Sequence, residues 1–226
     1  MNGTQAQDFA AARARMIAEV EAMYADTARE TGLAAMSPAV RSAMGKVERH
    51  RLVDPTLAAT AYRNHPLPIG KGQTISQPYI VAISTDLLAV KPGDAVLDVG
   101  TGSGYQAAVL AEIVSRVFSI ELIPQLGEAA ARRLEELGYG NIEIRIGDGH
   151  RGWPEKGPFD AIVVTAAARE VPPALVAQLK PGGRMAIPVG GEGEIQYLKL
   201  ITKRTDGGFD ERRILPVRFV PLVPGK

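Results

Sequence analysis

Short apolar runs alternate with amphipathic segments through the second half of the chain, from residue 77 onward. Apolar runs typical of buried strands occupy 95–100, 116–122, 142–149, 159–168 and 183–190. Helices are predicted before and between these runs, at 78–88, 105–114, 124–137 and 172–180. Such alternation favours an α/β fold class with a doubly wound, mainly parallel sheet and helices on both of its faces.

The chain ends with a different pattern. Residues 194–223 contain two β-rich runs, and the Gly207-Gly208 pair separates them. Two such runs around a glycine turn predict antiparallel strands. We therefore expect antiparallel pairing at the C-terminal edge of the sheet.

The first part of the chain predicts an N-terminal helical extension. One helix is predicted over residues 5–31, because its apolar residues recur at helical spacing and Gly32 follows. A second helix, over 39–47, is expected to begin after Ser37 and Pro38, since serine is a good N-cap and proline suits the first turn.

The segment AYRNHPLPIGKGQTISQP, residues 61–78, is interrupted by prolines and glycines and predicts a long loop. Long loops within compact domains often carry function. We expect residues 1–76 to form a helical module with a substrate and cofactor loop. Residues 77–226 are then the main domain, and the two parts are expected to form one compact unit.

Composition narrows the class of protein. The chain has 226 residues, of which 46% are hydrophobic, and 26 basic residues nearly balance 25 acidic ones. A net charge of +1 gives no general attraction to nucleic acid or to anionic lipid. Cysteine is absent, which excludes disulfides and a thiolate nucleophile. No apolar run approaches the ~18 residues of a membrane span. A cytoplasmic monomer is expected, without a membrane or nucleic-acid partner.

The stretch VLDVGTGSGYQAA, residues 96–108, places three glycines between a strand and a helix. Their spacing is G-x-G-x-G, and Tyr105 stands where a dinucleotide-binding fingerprint would have its third glycine. In a doubly wound sheet such a turn borders the crevice beyond the carboxyl ends of the strands. The turn therefore predicts a ligand other than a dinucleotide.

Acidic residues end three of the predicted strands. Asp98 precedes the glycine turn, Glu121 could accept both hydroxyls of a ribose, and Asp148-Gly149 could border an adenine ring. Together they fit a ligand with a ribose and a cationic amino acid, which describes S-adenosylmethionine. The plainer interpretation is that glycine turns and strand-end acids occur in many α/β proteins.

Several features that the sequence lacks narrow the range of possible methyl acceptors. After the fourth strand it has TAAAREVPP instead of the Asn/Asp-Pro-Pro-aromatic step that base methylation commonly uses, and it has no cysteine for carbon methylation. The three histidines have no ligand-like spacing, so no metal is predicted. A carboxylate acceptor would fit, because it is already ionised and needs positioning more than acid-base help.

Several motifs resemble the protein-L-isoaspartate O-methyltransferases, and the bacterial members most closely. The segment PLPIGKGQTISQPYIVA, residues 66–82, looks like the signature of that family. Further similarity lies at 47–54, 96–111, 117–122, 147–190 and 217–222. The resemblance therefore covers about residue 38 to the C-terminus, and it implies a Rossmann-like S-adenosylmethionine-dependent methyltransferase fold.

The resemblance also implies an activity and a site. The family methylates the free α-carboxylate of L-isoaspartyl residues in age-damaged proteins and peptides, and the ester starts repair through a succinimide. The matching serine of the T-I-S-x-P step is Ser76, which is implied to be catalytic. The implied cofactor contacts are Thr74, Ile75, Asp98, Gly100, Thr101, Gly102, Ser103, Gly104, Glu121, Leu122, Asp148, Gly149 and Thr165.

Other interpretations remain open. Taken alone, Ser76 is more simply the N-cap of the helix that starts at Pro78, and the two roles can coexist. The chain could also methylate a different peptide or small acid, or bind the cofactor without catalysis. RNA binding could involve a basic cluster, which we interpret instead as a solvated helix face; its members are Arg41, Lys46, Arg49, His50 and Arg51.

Overall fold

A seven-stranded sheet forms the centre of the molecule. The computed structural model describes residues 8–191 and 193–225. The strands are β1 (Leu67–Gly70), β2 (Gln73–Ile75), β3 (Ala95–Val99), β4 (Arg116–Glu121), β5 (Ile142–Ile146), β6 (Phe159–Val164), β7 (Leu179–Val189), β8 (Gln196–Lys203) and β9 (Phe209–Val217). The main sheet has the order β5-β4-β3-β6-β7-β8-β9, and β1 and β2 form a separate hairpin.

The direction of the strands confirms the predicted fold class. Strands β3 to β7 pair in parallel, whereas β8 and β9 add antiparallel pairing at one edge. Because β3 lies between β4 and β6, the strand order reverses beside it, and the carboxyl end of β3 borders the crevice where such sheets bind ligands.

Seven α-helices accompany the strands in the described residues. They are α1 (Phe9–Asp26), α2 (Ala28–Thr31), α3 (Pro38–Lys46), α4 (Pro78–Leu88), α5 (Tyr105–Ala111), α6 (Pro124–Glu136) and α7 (Pro173–Ala177). Short 3-10 helices occupy Arg49–Leu52, Pro55–Thr60, Gly149–Arg151 and Pro154–Lys156. Within this part of the chain, every helix is too short or too polar to cross a membrane.

Two hydrophobic cores lie on opposite faces of the sheet, because successive side chains of a strand point to opposite faces. On β3, Val96 belongs to one core and Leu97 to the other. Residues of α1, α3, α4 and α5 fill the first core, while Trp153 and residues of α7 pack in the second.

The N-terminal helices are attached to the main sheet by packing and by polar contacts. The Tyr24 hydroxyl on α1 donates to Asp86 on α4 at 2.6 Å, and Arg212 on β9 donates to the carbonyl of Thr31 at 2.9 Å. The first core contains side chains from both sides of residue 76. The division of the chain at that residue stays a prediction.

Two predicted elements differ from the structure. The single helix over 5–31 is interrupted at Thr27, whose hydroxyl donates to the carbonyl of Met23 at 2.7 Å; residues 5–7 lie outside the described part. Within the predicted loop 61–78, β1 and β2 pair as a hairpin. Strands of three or four residues carry too short a pattern to be distinguished from a loop.

The prediction of a solvated basic face is also wrong for Arg49, the central residue of the cluster. Arg49 is 0% exposed, its Nε donates to the carbonyl of Ala61 at 2.8 Å, and its guanidinium carbon lies 4.6 Å from the ring centre of Tyr105. Burial lowers the pKa of Arg49 to about 10. The remaining pairs are Arg41 with Glu21, Lys46 with Glu112, Arg51 with Glu48, and His50 stacked on Phe9. The cluster is therefore divided between one buried arginine and side chains that are paired with acidic or aromatic neighbours.

Candidate active site

A cavity lies beyond the carboxyl ends of β3, β4 and β6. Its walls come from the turn after β3, the ends of β2 and β4, and the tail that follows β9. Most of the predicted site residues line it: Thr74, Ile75, Ser76, Gly100, Thr101, Gly102, Ser103, Glu121, Leu122, Gly149 and Thr165. Asp98, Gly104 and Asp148 lie off this lining.

The glycine turn brings main chain, rather than side chains, to the cavity. Gly100 has φ of 102°, which side chains disfavour, and a Cβ there would collide with the hydroxyl of Thr165. That hydroxyl donates to the carbonyl of Gly100 at 2.6 Å, so Thr165 fixes the turn from β6. Glycine at position 100 therefore makes room for the Thr165 side chain that holds the turn.

Glu121 ends β4 with a buried carboxylate that is 6% exposed. Its Oε2 accepts from the backbone N–H of Gly102 at 2.7 Å, and its Oε1 accepts from that of Ile123 at 2.9 Å. A carboxylate has about four acceptor positions, so about two remain for a ligand. Glu121 can thus anchor the glycine turn and receive a pair of hydroxyl groups at the same time.

Asp98 supports the turn from behind. It is 0% exposed, and the Ser119 hydroxyl donates to its Oδ2 at 2.7 Å, while the hydroxyls of Ser119 and Thr101 lie 2.6 Å apart. Burial raises the pKa of Asp98 to about 7; the hydrogen bond from Ser119 opposes this rise and the charge of Glu121 adds to it. Asp98 is therefore connected to the cavity by a chain of hydrogen bonds through the hydroxyls of Ser119 and Thr101.

This raised pKa leads to a prediction about stability. The unfolded chain releases the Asp98 proton near pH 4, whereas the folded chain holds it to about pH 7. The free energy of unfolding should therefore fall as the pH rises from about 4 to 7, by up to about 1.4 kcal/mol per pH unit from this group, and level off above pH 7.

Urea unfolding at several pH values between 4.5 and 8 measures this contribution. Asp98→Asn should remove the slope relative to the parent chain, because asparagine does not titrate. Asp26→Asn, at the exposed end of α1, is the control and should leave the slope in place. An identical slope in the parent and in Asp98→Asn would contradict the prediction.

Ser76 follows β2 and does not cap the next helix. The N-cap of α4 is Gln77, whose side chain makes no capping bond. The backbone N–H of Tyr79, in the first turn of α4, donates instead to Asn64 Oδ1 at 3.0 Å. The capping interpretation of Ser76 is therefore wrong. Within the described residues the Ser76 hydroxyl makes no hydrogen bond, which leaves it available to a ligand.

A groove of about 510 Å³ adjoins the cavity. Pro66, Ile80, Val217 and Phe219 contribute apolar surface to it. Four residues line both spaces: Thr74, Ser76, Thr165 and Val220. Ser76 therefore lies at the junction, where a molecule in the groove meets one in the cavity.

The two residues of the Asp148-Gly149 step have different roles. Gly149 lines the cavity, whereas the Asp148 carboxylate accepts from the backbone N–H of His150 at 2.9 Å. Partial burial tends to raise the pKa of Asp148, but hydrogen bonds from the N–H groups of His150 and Gly225 outweigh it and lower the pKa. Asp148 thus orders the loop that presents Gly149.

Sequence reasoning missed the tail after β9 as part of the site. Val220, Pro221, Leu222 and Val223 line the cavity. The tail pairs with Ala167, whose N–H donates to the carbonyl of Val220 and whose carbonyl accepts from Leu222, both at 2.8 Å. The prolines at 216 and 221 disfavour a regular central strand at the end of the chain, but they do not indicate what the tail covers.

Comparison with known proteins identifies the family that shares this architecture. A model of the family described as protein-L-isoaspartate(D-aspartate) O-methyltransferase matches residues 20–226. Protein-L-isoaspartate O-methyltransferase 1 of Cupriavidus necator is 55% identical over 221 residues, which cover 97% of this chain and 85% of that protein.

Solved structures agree with the sequence relatives. One protein-L-isoaspartate O-methyltransferase superimposes with a TM-score of 0.80 at 28% identity, covering 92% of this chain and 65% of that one. The Plasmodium falciparum structure of that name, in complex with S-adenosyl-L-homocysteine, gives a TM-score of 0.73 at 27% identity, covering 90% and 98% of the two chains. The chain belongs to the protein-L-isoaspartate(D-aspartate) O-methyltransferase family.

Proposed function

We propose that S-adenosylmethionine occupies the cavity and that Glu121 receives its ribose hydroxyls. The cavity suits this ligand in two ways: the main chain of the glycine turn lines it at Gly100 and Gly102, and Glu121 retains unused acceptor positions. Gly149 borders the space for the adenine ring. When bound, the cofactor supplies a methyl group on a positively charged sulfur.

The acceptor is the free α-carboxylate of an L-isoaspartyl residue in a damaged protein or peptide. The observation that carries this proposal is the unbonded hydroxyl of Ser76 at the junction between the cavity and the groove. A carboxylate is ionised near neutral pH, so the chain needs to orient it and exclude water rather than remove a proton. A serine hydroxyl can donate a hydrogen bond to such an oxygen.

The groove supports an extended peptide as the acceptor. Its apolar wall includes Pro66, Ile80 and Phe219, and it leads directly to Ser76. A peptide lying along this wall would bring one carboxylate to the junction with the cavity. Methyl transfer from labelled S-adenosylmethionine to an isoaspartyl peptide tests the activity.

Ser76→Ala should lower turnover of an isoaspartyl peptide at least about tenfold, since one hydrogen bond to a charged group contributes about 1.5–3 kcal/mol. Cofactor affinity should change much less. Steady-state kinetics and calorimetry measure the two effects. Ser115→Ala removes an exposed hydroxyl that bonds the carbonyl of Asp94, and it should leave both unchanged.

Thermal melting separates this role from a structural one. A loss that tracks only the unfolded fraction would contradict the positioning role of Ser76. Ser76→Thr retains a hydroxyl and should recover part of the turnover.

The expected monomer, its cytoplasmic location and the absence of a nucleic-acid partner stay predictions. The ion pairs and burial of the basic cluster weigh against RNA binding at that surface. The lack of cysteine is consistent with a reducing compartment.

A further inference from the structure

The C-terminal tail, residues 218–223, is fixed by one side chain as it leaves the sheet. Strand β9 ends at Val217, which pairs with Gln196, the first residue of β8. Beyond it, the side-chain Nε2 of Gln196 donates to the carbonyl of Phe219 at 3.1 Å. Its Oε1 accepts from the N–H of Phe219 at 2.6 Å. One amide thus bonds both main-chain groups of Phe219.

This contact continues the sheet after its backbone pairing has ended. In an antiparallel ladder, two opposite residues exchange an N–H and a carbonyl bond. The carboxamide of Gln196 supplies the same donor and acceptor from a side chain. The tail can therefore turn away from β8 while Phe219 stays held.

The held segment is a wall of both ligand spaces. Arg218 and Phe219 line the groove, Leu222 and Val223 line the cavity, and Val220 lines both. Pairing with Ala167 secures the far side of Val220, and Gln196 secures the near side. The position of this wall therefore depends on contacts at both of its ends.

We propose that Gln196 is a positioning residue for methyl transfer, acting through Phe219 and Val220 on the alignment of cofactor and acceptor. The inference rests on the proposed placement of S-adenosylmethionine in the cavity and the peptide in the groove. Without the clamp, the tail is held only from Val220 onward, by Ala167 and by the bond between Gly225 and Asp148, and the shared wall shifts. A misplacement of about 1 Å between reacting groups can lower a rate on the order of a hundredfold.

Two variants test the clamp. Gln196→Ala removes both bonds, while Gln196→Glu keeps the size and the acceptor but sets a second carboxylate oxygen against the Phe219 carbonyl. Thr202→Ala, at the other end of β8, is the matched control. If Gln196→Ala unfolds, the nearly isosteric Gln196→Glu carries the test.

Three measurements apply to each variant: the KM and kcat for an isoaspartyl peptide, the dissociation rate of S-adenosyl-L-homocysteine, and amide hydrogen exchange. Both Gln196 variants should lower kcat at least about tenfold, raise the peptide KM and the dissociation rate about tenfold, and speed exchange at Phe219, Val220 and Leu222, with the melting temperature nearly unchanged. The control should alter none of these.

Faster exchange without a kinetic change would make Gln196 a structural residue only and overturn the proposal. Unchanged exchange and kinetics would overturn it as well. Failure of the parent chain to bind S-adenosyl-L-homocysteine or to methylate the peptide would instead contradict the proposed function, so the two failures are distinguishable.

Discussion

Replacing Glu121 with alanine should lower the affinity for S-adenosylmethionine by about a hundredfold. Its carboxylate has two unused acceptor positions for ribose hydroxyls, and each hydrogen bond to a charged group is worth about 1.5–3 kcal/mol. Losing two such bonds at the lower value gives about 3 kcal/mol, or two powers of ten. Release of the Gly102 N–H would loosen the turn and add to the loss.

Calorimetry with S-adenosyl-L-homocysteine measures this effect, and circular dichroism checks that the fold is retained. Glu128→Ala, an exposed position on α6, should bind like the parent. An analogue that lacks one ribose hydroxyl separates the ribose contact from the support of the turn. The parent should bind this analogue more weakly than it binds the natural ligand. In Glu121→Ala the two ligands should bind with nearly equal affinity, because the ribose contact is already lost. Unchanged affinity in Glu121→Ala would contradict the assignment.

An isoaspartyl peptide should be methylated at least about a hundredfold faster than the aspartyl peptide of the same sequence. In the isoaspartyl residue the chain continues through the side-chain carboxyl, so the free carboxylate is one methylene nearer the backbone. A peptide held along the groove presents that group to Ser76 at the junction, whereas the aspartyl carboxylate projects differently. Misplacement by about 1 Å is sufficient for a difference on the order of a hundredfold.

Mass spectrometry of the matched peptides follows both parts of the reaction. The acceptor oxygen gains a methyl group, and the following backbone nitrogen then attacks the ester carbonyl and expels methanol. The product should therefore be seen first as a methyl ester and then as a succinimide. Equal methylation of the two peptides would contradict the repair function and leave a general carboxyl methyltransferase.

The fold class and much of the site could be predicted from sequence because both depend on local patterns. Apolar runs separated by helices indicate parallel strands, and the carboxyl ends of parallel strands meet at one edge of a sheet. The glycine turn and Glu121 therefore come together in the cavity as predicted, although β3 and β4 are separated by a helix.

Local patterns predicted less well the direction in which each polar group points. Asp98 and Glu121 both stand at or near strand ends, yet Glu121 lines the cavity and Asp98 is buried behind the turn. Ser76 has the sequence context of an N-cap, but Asn64 supplies the oxygen that α4 uses. In each case a distant neighbour decided the role.

By itself, the sequence determined the parallel sheet, the glycine turn after its first strand, and the acid that ends the second, since backbone sterics and strand periodicity act over a few residues. Only the tertiary structure decided that the hairpin and the C-terminal tail close over these elements. It also decided that Arg49 is buried and that Gln196 holds Phe219. These contacts join residues far apart in the chain, and their geometry is set when the sheet and its two cores pack.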